Sequence, residues 1–313
     1  MRLVFMGSPD MAIPSLTAAS EVSDLVGVIT QPPRRKGRGQ KKVPSPVAVR
    51  AAEMGIETMT PGEIKSDGFL ELFSAMEPDL ALVVAYGKIL PPQVLTVPRL
   101  GCVNVHASIL PELRGAAPIQ WAIARGYRTT GVTLMRMDEG MDTGPILAQE
   151  ETVIGEDEDA SSLAGRLSEM AAQIVKEGLP ALAEGRLTPT PQDDSMATYA
   201  PILNKEDGRA DWHMDSAQIA NRVRAFVPWP GVYTLFKGKR LLITGAQPVH
   251  GSGKGKPGTV INVGKNGIDV AAGSGILRII TLRPEGKREM SAAEFLAGHT
   301  VSAGDVMGEE KRQ

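Results

Sequence analysis

One cysteine, Cys102, stands among 313 residues. That excludes an internal disulfide and fits a reducing, cytoplasmic setting. The four histidines, His106, His213, His250 and His299, are scattered along the chain. With a single thiol beside them, no zinc-ligand spacing assembles locally, and no metal is expected. No run of about 20 apolar residues occurs, so no membrane span is expected. The opening Met1-Arg2-Leu3-Val4-Phe5-Met6 lacks the apolar region and cleavage site of a signal peptide and reads as a first strand. The first strand-to-helix turn, Met6-Gly7-Ser8-Pro9-Asp10, holds one glycine. A dinucleotide fingerprint needs three, for the tight turn, the approach of the pyrophosphate and helix packing, so no NAD is expected.

The charge is nearly balanced in total, with 34 basic against 36 acidic residues, yet it is unevenly spread. Residues 1–208 hold 19 Lys+Arg and 27 Asp+Glu, net −8; residues 209–313 hold 15 and 9, net +6. A basic second half points to a polyanionic partner, or simply to a domain that happens to be basic. The length suggests two domains. Short apolar runs at 2–6, 25–29, 79–85, 103–106 and 131–135 alternate with helical patterns at 12–20, 45–54, 67–76 and 116–125. This alternation predicts βαβ units and a mostly parallel, doubly wound α/β sheet. A longer amphipathic helix is expected over 159–184, started by Asp159 or Ser161 and interrupted in its last turns by Gly178 and Pro180. The Pro-, Thr- and Asp-rich stretch 185–208 reads as a linker. A helix over 216–226 and five short strands with turns at Lys237-Gly238 and Asn266-Gly267 then suggest a small β-barrel. The expected boundaries are therefore 1–184, 185–208 and 209–313.

The most informative stretch is Cys102-Val103-Asn104-Val105-His106. Side chains alternate on a strand, so Asn104 and His106 share a face about 6.6 Å apart. An amide donor and an imidazole at the carboxyl end of a strand suit a carbonyl that becomes an oxyanion. The Gly-bounded acidic turn Asp138-Glu139-Gly140-Met141-Asp142-Thr143-Gly144 brings a third polar group, Asp142, able to orient the ring. Cys102 has the same parity. It is either a thiol nucleophile or, deeper in the strand, a small apolar core residue. Arg34, Arg35, Lys36, Arg38, Lys41 and Lys42 form an acid-free basic segment with Gly37 and Gly39. It reads as a solvated loop or as a contact for a phosphate backbone.

Taken together these segments closely resemble the methionyl-tRNA formyltransferase family. The matching pieces are Gln31-Pro32 with the basic loop, Asn104-Val105-His106 with Ser108-Ile109-Leu110-Pro111, and Arg114-Gly115-Ala116-Ala117-Pro118-Ile119-Gln120. The Asp138–Gly144 turn and Ala225-Phe226-Val227-Pro228-Trp229-Pro230-Gly231 complete them. An Asn-x-His with an Asp marks only the wider group of folate-dependent formyltransferases; the other segments narrow it. The resemblance implies a Rossmann-like formyltransferase domain followed by an OB-like barrel. It implies transfer of the formyl group of 10-formyltetrahydrofolate to the α-amine of methionyl initiator tRNA, for translation initiation. It marks Asn104, His106 and Asp142 as the catalytic trio and Ser108, Ile109, Leu110 and Pro111 as part of the folate segment. It matches Arg38 to an arginine over the tRNA acceptor end. Ile109 and Glu112 depart from the family's usual Leu and basic residue. Phosphate contacts are further expected from Lys237, Lys239, Arg240, Lys254 and Lys256, and the protein is expected to be a monomer. In the expected chemistry, the Asn104 amide and the His106 ring N–H stabilise the oxyanion formed by attack of a neutral amine. Asp142 orients His106 and assists proton movement. The competing readings are formylation of an amino sugar or other small amine, and an RNA-binding protein without catalysis.

Overall fold

The computed structural model describes residues 1–36, 41–251 and 255–308. Strand β1 (Arg2–Gly7) opens the chain, with Leu3, Val4, Phe5 and Met6 wholly buried. Burial on both faces is the mark of a strand inside a helix-covered parallel sheet. A single 3-10 turn, Asp10–Ala12, leads into α1 (Ile13–Val22) and then β2 (Asp24–Ile29). The basic segment forms two short strands, β3 (Arg34–Lys36) and β4 (Lys41–Val43), which pair antiparallel. Next come α2 (Pro46–Glu53), β5 (Thr58–Met59) and α3 (Asp67–Ala75). Ser45 and Ser66 cap the two helices, each accepting from a backbone N–H three residues on.

The chain continues through β6 (Leu80–Val84), α4 (Pro92–Leu95), β7 (Cys102–His106), β8 (Arg114–Gly115) and α5 (Pro118–Ala124). β9 (Thr129–Arg136), β10 (Ile146–Val153), α6 (Ala160–Ala183) and β11 (Tyr199–Ala200) follow. The large sheet runs β10-β9-β7-β6-β1-β2-β5. From β5 to β7 its strands are parallel; β9 and β10 close the other edge antiparallel. This is the doubly wound, mostly parallel sheet expected from the alternating pattern. The chain winds outward from β1 to β2 and β5, then returns to β6 on the other side. Ligands of such sheets sit beyond the carboxyl ends of the strands at this reversal. Gly7, at the end of β1, belongs there for steric reasons. A Cβ on it would lie 2.7 Å from the Phe5 ring and 2.8 Å from the Val84 carbonyl oxygen.

Two expectations about α6 separate. Asp159 does start it, accepting from the Ser162 N–H at 2.8 Å. The interruption at Gly178 and Pro180 is not found, and the helix runs on to Ala183. Gly178 is a packing residue, since a Cβ would come within 2.7 Å of Leu134 Cδ2 on β9. Pro180 removes one backbone bond, and the helix continues for three residues beyond it.

The chain divides into two compact units. The first comprises Met1–Pro118, Thr129–Val153 and Leu163–Pro201; the second comprises Ile119–Arg128, Ile154–Ser162 and Ile202–Gln313. Of the stretch read as a linker, residues 185–201 thus belong to the first unit and 202–208 to the second. Two early segments join the second unit through side chains. Trp121 meets Phe226 edge-to-face at 5.8 Å, and Arg224 donates to the Glu158 carbonyl at 2.7 Å.

After α7 (Ser216–Ala225), the second unit consists of β12 (Val232–Phe236), β13 (Lys239–Val249), β14 (Val260–Gly264), β15 (Gly267–Ala271), β16 (Ile276–Pro284), β17 (Met290–Ser291) and α8 (Ala292–Gly298). All strand pairs are antiparallel, in the order β12-β13-β16-β15-β14, with β17 on β16. Single bridges from Met307 to Phe236 and from Val306 to Thr259 link β12 to the approach to β14. Lys237 and Gly238 both have positive φ, as a two-residue hairpin turn of this hand requires. The second hairpin turns one residue earlier than expected, because Gly264 pairs with Gly267 and leaves Lys265 and Asn266 at the tip.

Candidate active site

β7 lies between β6 and β9, so Asn104 and His106 are placed by neighbours on both sides. Asn104 pairs with Val83 and Met135, and His106 with Thr133. Asn104 is half-buried, and its side-chain amide makes no hydrogen bond among the described residues. His106 is buried. Its Nε2 lies 3.0 Å from the Leu113 carbonyl oxygen. A carbonyl only accepts, so Nε2 carries the proton, and Nδ1 holds the lone pair whenever the ring is neutral. Nδ1 faces Asp142 Oδ2 at 3.7 Å. This is charge-pairing distance, too long for a hydrogen bond. The ring is thus oriented by Leu113, seven residues further along, and not by Asp142 as expected. Asp142 takes its own bond from the Gly115 N–H at 2.8 Å.

The segment after β7 is held tightly. Ser108 Oγ donates to the Glu112 carbonyl at 2.6 Å. Thr133 Oγ1 donates to the Ser108 carbonyl at 2.7 Å and accepts from the Leu110 N–H at 3.1 Å. Gln149 Nε2 donates to the Leu110 carbonyl at 2.8 Å. Ser108 and Leu110 are buried, while Ile109 and Pro111 are partly exposed. Within the stretch expected to hold folate, the accessible side chains are therefore Ile109 and Pro111.

The two turns flanking His106 depend on unusual backbone. Leu113, which supplies the carbonyl, has φ +60°, and Asp142 has φ +56°. Thr198 Oγ1 accepts from the Leu113 N–H at 2.8 Å. Gln192 Nε2 donates to the carbonyls of Asp142 and Gly144 at 2.9 and 2.7 Å. Thr133, Gln149, Gln192 and Thr198 carried no signal in the sequence; the last two lie in the stretch read as a linker. Gly115 has φ +122° and pairs with Ala200, whose carbonyl would meet a Cβ at 2.6 Å. That close approach accounts for glycine there.

Cys102 is settled by its surroundings. Its Sγ lies 3.9 Å from the Val94 and Leu95 carbonyls, and burial pushes its thiol up to about 12. A thiol so far from the thiolate is inert, and the core reading holds. At the end of β6, burial likewise pushes the Tyr86 hydroxyl up to about 12. The Tyr86 carbonyl accepts from Gln31 Nε2 at 2.7 Å, and Gln31 in turn accepts from Arg34. No group of three His, Cys, Asp or Glu able to hold a metal occurs among the described residues. No helix among them is long and apolar enough to cross a membrane.

The basic residues are unequally free. Arg35, Lys41 and Lys42 are exposed beside Arg34 in the first unit. Arg38 and Lys254 lie outside the described residues, as does the side chain of Lys36. In the second unit Lys237 donates to the Thr300 carbonyl at 2.8 Å and faces Asp305 at 3.5 Å. The Arg240 guanidinium stacks over the Tyr233 ring at 3.9 Å. Lys239 and Lys256 are exposed.

The family model described as formyl transferase matches residues 1–179, and that of the formyl transferase C-terminal domain matches residues 202–300. A methionyl-tRNA formyltransferase of Geobacter metallireducens is 47% identical over 98% of this chain and 99% of its own. One from Citrifermentans bemidjiense is 45% identical over 99% of this chain and 97% of its own. Among solved structures, the sugar 3N-formyl transferase WlaRD, crystallised in the presence of dTDP and 5-N-formyl-THF, superposes with a TM-score of 0.67. It is 17% identical and covers 92% of this chain and 99% of its own. That likeness is one of fold. With both domain models matched and near-full-length relatives at this identity, the chain belongs to the formyl transferase family.

Proposed function

We propose that this chain transfers the formyl group of 10-formyltetrahydrofolate to the α-amine of methionyl initiator tRNA, and that it works as a cytoplasmic monomer. The observation that carries the reading is 45–47% identity to methionyl-tRNA formyltransferases across both units. The amino-sugar alternative rests on a fold shared at 17% identity. The first unit carries the chemistry, and the basic second unit binds tRNA.

The neutral amine attacks the formyl carbon, a C–N bond forms, and the carbonyl oxygen becomes an oxyanion. The free amide of Asn104 donates to that oxygen. Nε2 of His106 is committed to Leu113, so the nitrogen left for the reaction is Nδ1. When the ring is neutral, Nδ1 accepts the proton lost by the attacking amine. Once protonated, Nδ1–H donates to the oxyanion, and the Asp142 carboxylate at 3.7 Å balances the charge. The bond from carbon to the folate nitrogen then breaks, and the proton passes to that nitrogen. The folate lies along the Ser108–Pro111 turn. Arg38 positions the acceptor end of the tRNA. A formylation assay with charged initiator tRNA, beside one with a nucleotide-linked amino sugar, tests the reading. Turnover of the tRNA alone is expected, and turnover of the amino sugar alone would overturn it.

A further inference from the structure

We propose that Gln192 is a positioning residue for this reaction: oriented by Arg114, its amide holds the turn that aims the Asp142 carboxylate at His106. The inference rests on the reading of His106 and Asp142 as the reacting pair. A glutamine amide has two donors and two acceptor sites, and here all four are used. Oε1 accepts from Arg114 Nε at 3.1 Å and from its terminal nitrogen at 2.8 Å. Nε2 donates to Asp142 and Gly144 carbonyls. A guanidinium only donates and carbonyls only accept, so the amide can sit just one way round.

The turn needs such a hold. Asp142 is a non-glycine residue in the left-handed region, a conformation that persists when surrounding structure over-determines it. Gly144 passes so close to Arg136 that a Cβ would lie 2.0 Å from that carbonyl oxygen. Asp138 braces the turn from within, accepting from the Gly140 N–H and the Thr143 hydroxyl. Those bonds shape the turn without fixing it against the strand that bears His106. The Met137 N–H, just before the turn, donates to the Cys102 carbonyl on that strand at 2.9 Å, and two side-chain ties from β8 hold the turn itself. The Gly115 N–H holds the carboxylate itself, and Arg114 holds Gln192. Arg114 is 2% exposed, while Asp194, its carboxylate partner, is 83% exposed. A guanidinium buried this deeply needs its donors satisfied, and the Gln192 amide takes two of its hydrogen bonds beside the one to Asp194.

The test is a double-mutant cycle. Gln192→Met keeps the size and removes all four bonds; Gln192→Glu keeps acceptors for Arg114 and removes the two donors. Each is expected to lower kcat about 10- to 100-fold, with KM for the formyl donor and for the charged tRNA within about twofold. Should the methionine variant fold poorly, the glutamate variant still reports on the donors, and thermal melts monitor both. In an Asp142→Asn background the same changes are expected to cost less than about threefold, because the carboxylate they aim is gone. Equal losses in both backgrounds would make Gln192 merely structural and overturn the proposal. Near wild-type kcat for both Gln192 variants, with a slow Asp142→Asn enzyme, would overturn it and leave the catalytic pair standing. A fast Asp142→Asn enzyme would instead remove the reading on which the proposal rests.

Discussion

Asn104 has a half-buried amide on the same strand face as His106, so its removal should act on the transition state. Asn104→Ala is expected to lower turnover about 10²–10³-fold, the usual loss on deleting one oxyanion donor. Folate affinity should change far less, because the developing charge exists only during reaction. Steady-state formylation beside folate binding measures both, and near wild-type turnover would sink the role. Asp142→Asn keeps an oxygen for the Gly115 N–H but removes the charge that faces Nδ1. Turnover is expected to fall at least about tenfold, with an altered pH–rate profile. An unchanged rate and profile would reduce Asp142 to a turn residue. Strand parity alone placed Asn104 and His106 together, and a glycine-bounded turn marked Asp142. Which nitrogen of His106 is left free was not legible. It is decided by the Leu113 carbonyl, brought back by a turn at φ +60° whose N–H rests on Thr198, 85 residues away. Bonds of that separation leave no periodicity to read, and Gln192 and Thr133 were missed for the same reason.

Elements with a strong period were legible: the buried β1, β6 and β7, the capped helices, and the alternating β12. Among the missed ones, β10 has an apolar run broken by the exposed Glu150 and Glu151, and others are short pairings between distant segments. β8 and β11 share two residue pairs, and Val306 and Met307 make one bridge each, so neither has enough length to show a pattern. The polar tie across three barrel strands was equally hidden. Asp269 on β15 is 7% exposed and accepts from Arg278 on β16 at 2.6 and 2.9 Å and from Asn262 on β14 at 3.3 Å. The hydrogen bonds from Arg278 hold its carboxyl below the usual carboxylate range, against the opposing effect of burial. A depressed folded-state value adds stability above the unfolded value of about 3.9, lost as pH falls through the folded one. Asp269→Asn is therefore expected to destabilise the second unit at pH 7. The cost is about 1–3 kcal/mol, below that of a fully buried pair because Arg278 keeps a quarter of its side chain in water. Denaturant melts of wild type and variant at pH 7 and pH 3 check this. The gap should narrow at the lower pH, and a gap independent of pH would assign the loss to packing.

At the scale of the whole molecule the charge is uneven along the chain, with the acidic excess before residue 209 and the net +6 after it. For an enzyme with a polyanionic substrate, such a division is expected to separate attraction from chemistry. The exposed Lys239 and Lys256 are free to meet phosphates, whereas Lys237 already serves Thr300 and Asp305. Each true phosphate contact releases counterions, so removing one should flatten the log–log salt dependence of tRNA affinity by about 0.7–0.9. Lys239→Ala and Lys256→Ala are expected to show that change with a normal single-turnover rate, and Lys237→Ala is expected to show less of it. Arg38 is proposed for the other task. If it places the acceptor end beside the formyl donor, Arg38→Ala should depress single-turnover formylation more than binding, because positioning lowers the barrier of the chemical step. The decisive measurement is tRNA affinity against salt beside single-turnover formylation for all four variants. Lysine variants with an unchanged slope would refute the electrostatic role of the second unit. An Arg38 variant that binds weakly but reacts at the normal rate would move that arginine among the phosphate anchors, and the two tasks would no longer be separate.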